Sequence, residues 1–297
     1  MIFLLMVDGD MKECTDAIQT DILFLQPEMN LTETVSCYTR TNRRFTMRIL
    51  TTLALGWLLA TAALAQEPSP LQQKLEAALD NDIRTPEEKA RDAERKPIEV
   101  LQFMRLRDDM KVIELLPFGG WFTKILAQVL YDNGKMYTAQ PELGFYSDSL
   151  EPTLALPGME RVGKIDWNGG ETEGGNLWVG SGKWDVEPVD LVVTFRNYHN
   201  FEYAERMAIN KSAFDVLKSG GYYGVVDHTR RHMEPDSRAN GRRVDPVLAI
   251  KEIQDSGFIL EDYTDVLRSP VDELTLEVGQ PEVTGQTDRF VLLFRKP

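Results

Sequence analysis

Cysteine is almost absent from this chain: two residues in 297, Cys14 and Cys37, and none after them. Two cysteines so near one end cannot supply a disulfide framework for the rest. From residue 38 onward neither a thiolate nucleophile nor a thiolate-ligated zinc is available. Basic residues are also short, 33 Lys and Arg against 47 Asp and Glu, for a formal charge of −14. Nucleic-acid binding needs clustered cations to neutralise phosphates, so this balance speaks against nucleic acid as a partner. There is no internal repeat and no low-complexity tract, and long apolar runs reduce to one, Ile49 to Leu64. The rest has a globular composition, 42% hydrophobic and 27% charged, which suffices for a packed core.

The apolar run follows Met47-Arg48 and ends in Ala63-Leu64-Ala65 before the polar Gln66-Glu67-Pro68. One basic residue, an apolar stretch and small residues at −3 and −1 describe a secretory signal peptide over residues 47–65; the alternative reading is a retained membrane anchor. The expectation is an exported protein, periplasmic or secreted, with no stable membrane insertion after cleavage. Residues 1–46 are then expected to be an upstream gene-start artefact, with translation beginning at Met47. The remaining 66–297 are 232 residues with a net charge of −12 and no cysteine.

Residues 66–106 read as an N-terminal helical appendage. Leu71, Leu75 and Leu79 recur at helical spacing, Thr85-Pro86-Glu87-Glu88 starts a helix expected to reach Lys96, and Pro97 opens another with Ile98, Leu101, Phe103 and Leu106 as its apolar face. Over 107–297 apolar strands alternate with helical stretches: KVIELL, a helix closed by Gly134, KMYTAQ, ERVGKIDW, VDLVVTF, a helix closed by Gly220, GYYGVVDH and a helix capped by Asp245. Residues 166–188 are Gly-rich and read as a loop. The last two strands lack a helix-length connection, so they are expected to pair antiparallel. The implied fold class is α/β: a Rossmann-like, doubly wound, seven-stranded sheet, mostly parallel with an antiparallel last strand, plus N-terminal helices. Its ligand crevice lies at the carboxyl ends of the strands.

Residues at those ends carry the chemistry. Glu114 closes the first strand, Gly119 and Gly120 follow Pro117 in the turn, and Thr123 falls in the first helical turn with its free N–H groups. The two glycines either let backbone approach a ligand or serve a tight turn with positive φ. His199, His228 and His232 are the only histidines, and the first two directly follow apolar strands in FRNYHN and VVDH. His199 and His228 are candidates for a general base, with Asp227 or Asn197 orienting a ring. No motif spacing supports a metal site built from His199, His228 and Asp227, and polar residues satisfying loop backbone are the bland alternative. Arg230, Arg231, Arg242 and Arg243 either bind an anionic acceptor or form a solvated charged loop.

The succession VIELLPFGGWFTKILA, VDLVVTFRNYHNF, LKSGGYYGVVDH, DPVLAIKEIQDSGF and TDRFVLLFRKP resembles the class I S-adenosylmethionine-dependent methyltransferases over about residues 85–297. More narrowly it resembles an exported group whose Pro-Phe-Gly-Gly turn is followed by Trp and Thr. The resemblance implies S-adenosyl-L-methionine as cofactor, Glu114 orienting its amino-acid portion, and Gly119 and Gly120 passing beneath methionine and ribose. Leu116 or Pro117 stands where the family has its first glycine. Gln140, with Glu142 two residues on, stands where a ribose-gripping acid is usual, and Asp166 falls where the adenine is met. For transfer to a small-molecule acceptor, His199 is the preferred base, with Asn197 and Tyr198 shaping the acceptor pocket. Two other functions fit the residues: an exported non-catalytic binding protein on the same fold, and a metal-dependent hydrolase.

Overall fold

Residues 68–141, 145–171 and 177–297 are described in a computed structural model of the protein. The expected upstream segment and signal peptide lie outside the described residues, as does Glu142. Among the described residues no helix is long and apolar enough to cross a membrane.

The N-terminal helices start where their caps place them. Ser69 accepts the Gln72 N–H at the head of α1 (Pro70–Asp80). At α2 (Pro86–Ala90), Thr85 and Glu88 form a reciprocal capping box, 3.3 and 2.9 Å. The single helix expected up to Lys96 is two: α2 stops at Ala90 and α3 (Asp92–Arg95) follows Arg91. Lys96 adopts a left-handed conformation, φ 42°, ahead of Pro97, the first residue of α4 (Pro97–Phe103). A residue before proline is disfavoured in the right-handed helical region, so the break has a local cause.

The domain continues through β1 (Lys111–Leu115), α5 (Trp121–Leu130), β2 (Lys135–Gln140), α6 (Phe145–Leu154), β3 (Gly163–Asp166), β4 (Gly169–Glu171), β5 (Leu177–Val179) and β6 (Val189–Phe195). It ends with α7 (Tyr203–Val216), β7 (Leu217–His228), α8 (Pro246–Asp255), β8 (Ile259–Thr264) and β9 (Arg289–Arg295). Seven strands form one sheet in the order β3-β2-β1-β6-β7-β9-β8. The first five of that order pair in parallel, and β9 runs antiparallel between β7 and β8. The expected α/β, Rossmann-like sheet and its antiparallel last strand are therefore present. The chain leaves β1 towards β2 and β3, then returns to place β6 on the other side of β1. That reversal opens a crevice beyond the ends of β1 and β6.

Alternation along the strands sorts the core into two layers. Val112, Leu191, Val193, Val291 and Leu293 face one side, packed with Leu75, Val100, Leu101 and Ile125 of α1, α4 and α5. Ile113, Val192, Val225, Leu292 and Phe294 face the other, with Ile209, Ala213, Ala249 and Ile253 of α7 and α8. The N-terminal helices thus complete one layer of the sheet's covering.

Three local expectations are corrected. The loop at 166–188 contains the antiparallel pair β4 and β5, with Trp167 and Trp184 stacked edge to face at 5.3 Å beside it. Gly220 does not close α7, which ends at Val216; its φ of 78° serves an irregularity at the start of β7, where pairing jumps from Leu217 to Tyr222. Gly134 is not a helix cap either, since α5 ends at Leu130. A Cβ there would lie 2.6 Å from the Met110 carbonyl oxygen, so close backbone approach is what requires glycine.

Candidate functional site

The turn after β1 is built from left-handed residues in alternation: Leu116 at φ 52°, Phe118 at φ 47° and Gly120 at φ 74°. Two non-glycine residues in this region cost roughly 1–3 kcal/mol each, a strain found where structure around a site over-determines the backbone. The two glycines divide the roles left open for them. Gly120 has the left-handed backbone, and a Cβ on it would sit 2.7 Å from Thr153 Cγ2. Gly119 would meet nothing within 4 Å, so its α-carbon borders open space; its carbonyl is held by the Thr153 hydroxyl at 2.8 Å.

That space is a cavity of about 350 Å³, adequate for a small ligand. Glu114, Pro117 and Gly119 form its floor, Arg196 and Asn197 approach from the end of β6, and Glu88, Arg91 and Arg95 close it from the N-terminal helices. Trp121 ties these parts together: its indole N–H donates to the Glu88 carbonyl at 3.1 Å, and Arg95 lies over the ring at 4.4 Å. Lys124 of α5 reaches the Glu88 carboxylate at 2.8 and 2.9 Å.

Glu114 is buried, and one carboxyl oxygen accepts the Thr123 hydroxyl at 2.6 Å. The other accepts no hydrogen bond from a described residue. Burial raises the acid from 4.5 to about 7, against the smaller opposing pull of the Thr123 hydrogen bond and the Arg95 charge. An acid poised there holds a cationic ligand group when ionised.

The end of β6 supplies a second group of residues. His199 Nδ1 lies 2.6 Å from Asp227 Oδ1, and Asp227 also accepts the backbone N–H groups of His199 and His228 at 2.9 and 2.7 Å. Asp227 is fully buried, so its carboxylate keeps the proton on Nδ1 and leaves the Nε2 lone pair to act. Asp227, not Asn197, orients this ring. The Asn197 amide donates to the carbonyls of Leu115, Leu116 and Phe195 at 3.1 to 3.3 Å, joining the ends of β1 and β6. His228 is a different case: its Nε2 accepts from Arg196 Nε at 3.0 Å. Burial and the Arg196 charge push it well below the ordinary imidazole range. It is a neutral group that positions Arg196, so its expected role as a base is corrected.

Tyr198 also departs from expectation. It is buried in the core, donating to Glu252 at 3.0 Å and accepting from Asn210 at 2.9 Å, so it does not shape an acceptor pocket. Gln140 and Asp166 are partners in register at the ends of β2 and β3, one buried and one exposed. Neither lines the cavity. Thr123 acts through Glu114. The Arg230–Arg243 cluster is internally paired: Arg230 with Asp236, Arg231 with the Glu273 carbonyl, Arg242 with Glu277, and Arg243 with Asp272. Among the described residues no group of three or more His, Cys, Asp or Glu could hold a metal ion.

Sequence reasoning missed Arg91, Arg95, Trp121 and Arg196. Arg196 carried a signal, a charge directly after the apolar strand VDLVVTF. Arg91 and Arg95 fall in the segment that reads along the chain only as a helical appendage.

No family model and no curated protein matches the chain. Among solved structures it is similar to a SAM-dependent methyltransferase from Aquifex aeolicus, at 14% identity over 77% of this chain and 98% of that one, TM-score 0.48. It is also similar to the cyclase SpnF, at 16% identity over 78% and 98%, TM-score 0.49. A third is the glycopeptide N-methyltransferase MtfA, at 14% identity over 72% and 99%, TM-score 0.48. At these values the likeness is one of chain course, and function rests on the site's own residues.

Proposed function

We propose that the protein is an exported S-adenosylmethionine-dependent methyltransferase acting on a small-molecule acceptor. The observation that carries this reading is Glu114: a buried carboxyl at the end of β1, with one oxygen that accepts no hydrogen bond from a described residue, on the floor of a cavity of about 350 Å³ at the sheet's switch point. The cofactor's amino-acid end presents an ammonium that such an oxygen accepts from, and the bare α-carbon of Gly119 lets a ligand lie against the turn. The residues therefore fit the group. Glu114 would hold the amino group, and the first N–H groups of α5 are free to meet a carboxylate or hydroxyl. Gln140 and Asp166, which the resemblance implies for the ribose and adenine, stand at the next strand ends outside the cavity.

When bound, S-adenosylmethionine supplies a methyl group already activated on a sulfonium. The protein's task is then alignment and removal of a proton. Asp227 holds His199 in the tautomer whose Nε2 takes that proton, and Asn197 fixes the end of β6 against β1, which sets the distance between base and cavity.

Calorimetry of the full chain with S-adenosylmethionine and S-adenosylhomocysteine tests the reading; no binding at millimolar ligand would end it. A second reading, a binding protein without turnover, is favoured by one observation: neither His199 nor His228 lines the cavity. Binding without transfer of a labelled methyl group would select it. The export part predicts a native N-terminus at Gln66, read by N-terminal sequencing.

A further inference from the structure

Three arginines line the cavity, Arg91, Arg95 and Arg196, and their guanidinium groups are poorly matched by protein partners. The Arg95 guanidinium donates no hydrogen bond to any described residue; it stacks on Trp121 and lies 3.7 Å from Glu94. That carboxylate is already engaged by Arg91 Nε at 3.1 Å. Among the described residues the Arg196 side chain hydrogen-bonds only His228, through Nε, and its backbone is held at φ 62°, a left-handed conformation that arginine adopts only at a cost. Burial and the charges of neighbouring arginines lower Arg95 to about 9, where it is still a cation at neutral pH, and lower Arg196 in the same direction.

The nearby carboxylates do not balance this charge. Glu94 serves two arginines, Glu88 is taken by Lys124, Asp227 attracts Arg196 but is engaged by His199 and two backbone N–H groups, and Glu114 is only partly ionised near neutrality. Three cations, the largely enclosed Arg95 and Arg196 and the half-exposed Arg91, thus line one cavity in a chain of net charge −14. Enclosing a charge without full pairing is costly, and an anionic ligand would supply the missing partner. Guanidinium groups with free Nη atoms match the planar or tetrahedral oxygens of carboxylates and phosphates.

We propose that the acceptor carries an oxyanion, a carboxylate or a phosphate ester, held by Arg91, Arg95 and Arg196. The proposal rests on the methyltransferase reading in naming this ligand the acceptor. One carboxylate on the cofactor needs one guanidinium, and three exceed it. A sulfonium beside three guanidiniums also adds positive charge, so an anionic acceptor lowers the electrostatic cost of the ternary complex. Arg196 leans on His228, next in sequence to the Asp227 that orients His199, which puts the anion anchor beside the proposed base.

The test titrates the full chain, saturated with S-adenosylhomocysteine, with phenyl phosphate, benzoate and the uncharged benzamide. Both anions are expected to bind at least about tenfold more tightly than benzamide, the range of a charge-assisted hydrogen bond. Arg95→Gln and Arg196→Gln are each expected to remove at least about tenfold of the anion affinity while S-adenosylhomocysteine affinity stays within about threefold. Arg91→Gln, at a side chain 43% exposed, provides a variant whose folding is not at risk. Anions binding no better than benzamide, or retained by all three variants, would overturn the proposal. So would variants that lose S-adenosylhomocysteine and keep the anions, since the arginines would then serve the cofactor's carboxylate. Arginine-dependent anion binding without any S-adenosylhomocysteine binding would uphold the oxyanion site and remove the methyltransferase reading.

Discussion

Replacing Glu114 with Gln separates what this residue does for the fold from what it does for the ligand. In the folded protein burial lifts the acid from 4.5 to about 7. A raised acid contributes stability that is fully present below about 4.5, where both states are protonated, and is lost as pH rises through about 7. At about 1.4 kcal/mol per pH unit, the ionised carboxyl costs the fold about 3 kcal/mol above neutrality. Gln is nearly isosteric, stays neutral and can still accept from the Thr123 hydroxyl. Urea denaturation at about pH 4.5 and pH 8 should therefore give nearly equal stabilities for the two proteins at the lower value, and a Gln variant more stable by about 3 kcal/mol at the higher one. Ligand affinity should move the opposite way. S-adenosylhomocysteine, with its ammonium, should bind the native protein more tightly as pH rises through 7, and Glu114→Gln should abolish that rise. A stability difference that does not change with pH would refute the argument, because it would mean that Glu114 is not desolvated as its surroundings imply.

Other outcomes follow from the same geometry. His199→Ala should leave S-adenosylhomocysteine binding within about twofold and lower methyl transfer by roughly 10²–10⁴-fold in a labelled-methyl assay, the usual worth of a general base. Gly119→Ala should leave the melting temperature almost unchanged and weaken ligand binding. Gly120→Ala should destabilise by about 1–3 kcal/mol in thermal unfolding, and Thr153→Ser should recover part of it by removing the methyl that lies 2.7 Å from the new Cβ. Arg243→Ala breaks a buried bidentate pair with Asp272 at 2.8 and 3.0 Å and should cost about 3–5 kcal/mol in a urea titration.

Much of the molecule was legible along the chain. Strands β1, β6 and β9 are short apolar runs with turn residues beside them, and the caps Thr85 and Asp245 sit where the helices begin. Glu114, Pro117 and Gly119 lie within six residues of one another, so a local pattern brought them together and the cavity contains all three. Tyr198 was misplaced for an instructive reason. It adjoins Asn197 and His199, but a 3₁₀ turn at Tyr198–Asn200 sends alternate side chains in different directions, and its ring enters the core beneath Glu252.

Short-range patterning, the difference between a period of 2 and one of 3.6, determined from the sequence by itself that this is an α/β sheet with a proline- and glycine-containing turn after the first strand. The sequence also set the shortage of cysteine and the acid excess. Strand order decided the rest. Placing β6 beside β1, and β7 beside β6, brought Asp227 to His199 across 28 residues. The same packing carried Arg95 of an N-terminal helix towards Arg196, close enough for the Arg196 charge to lower the proton affinity of Arg95. No periodicity encodes such pairs, because they depend on which strand ends meet. The arginine-lined cavity of this acidic protein is therefore a product of its tertiary structure.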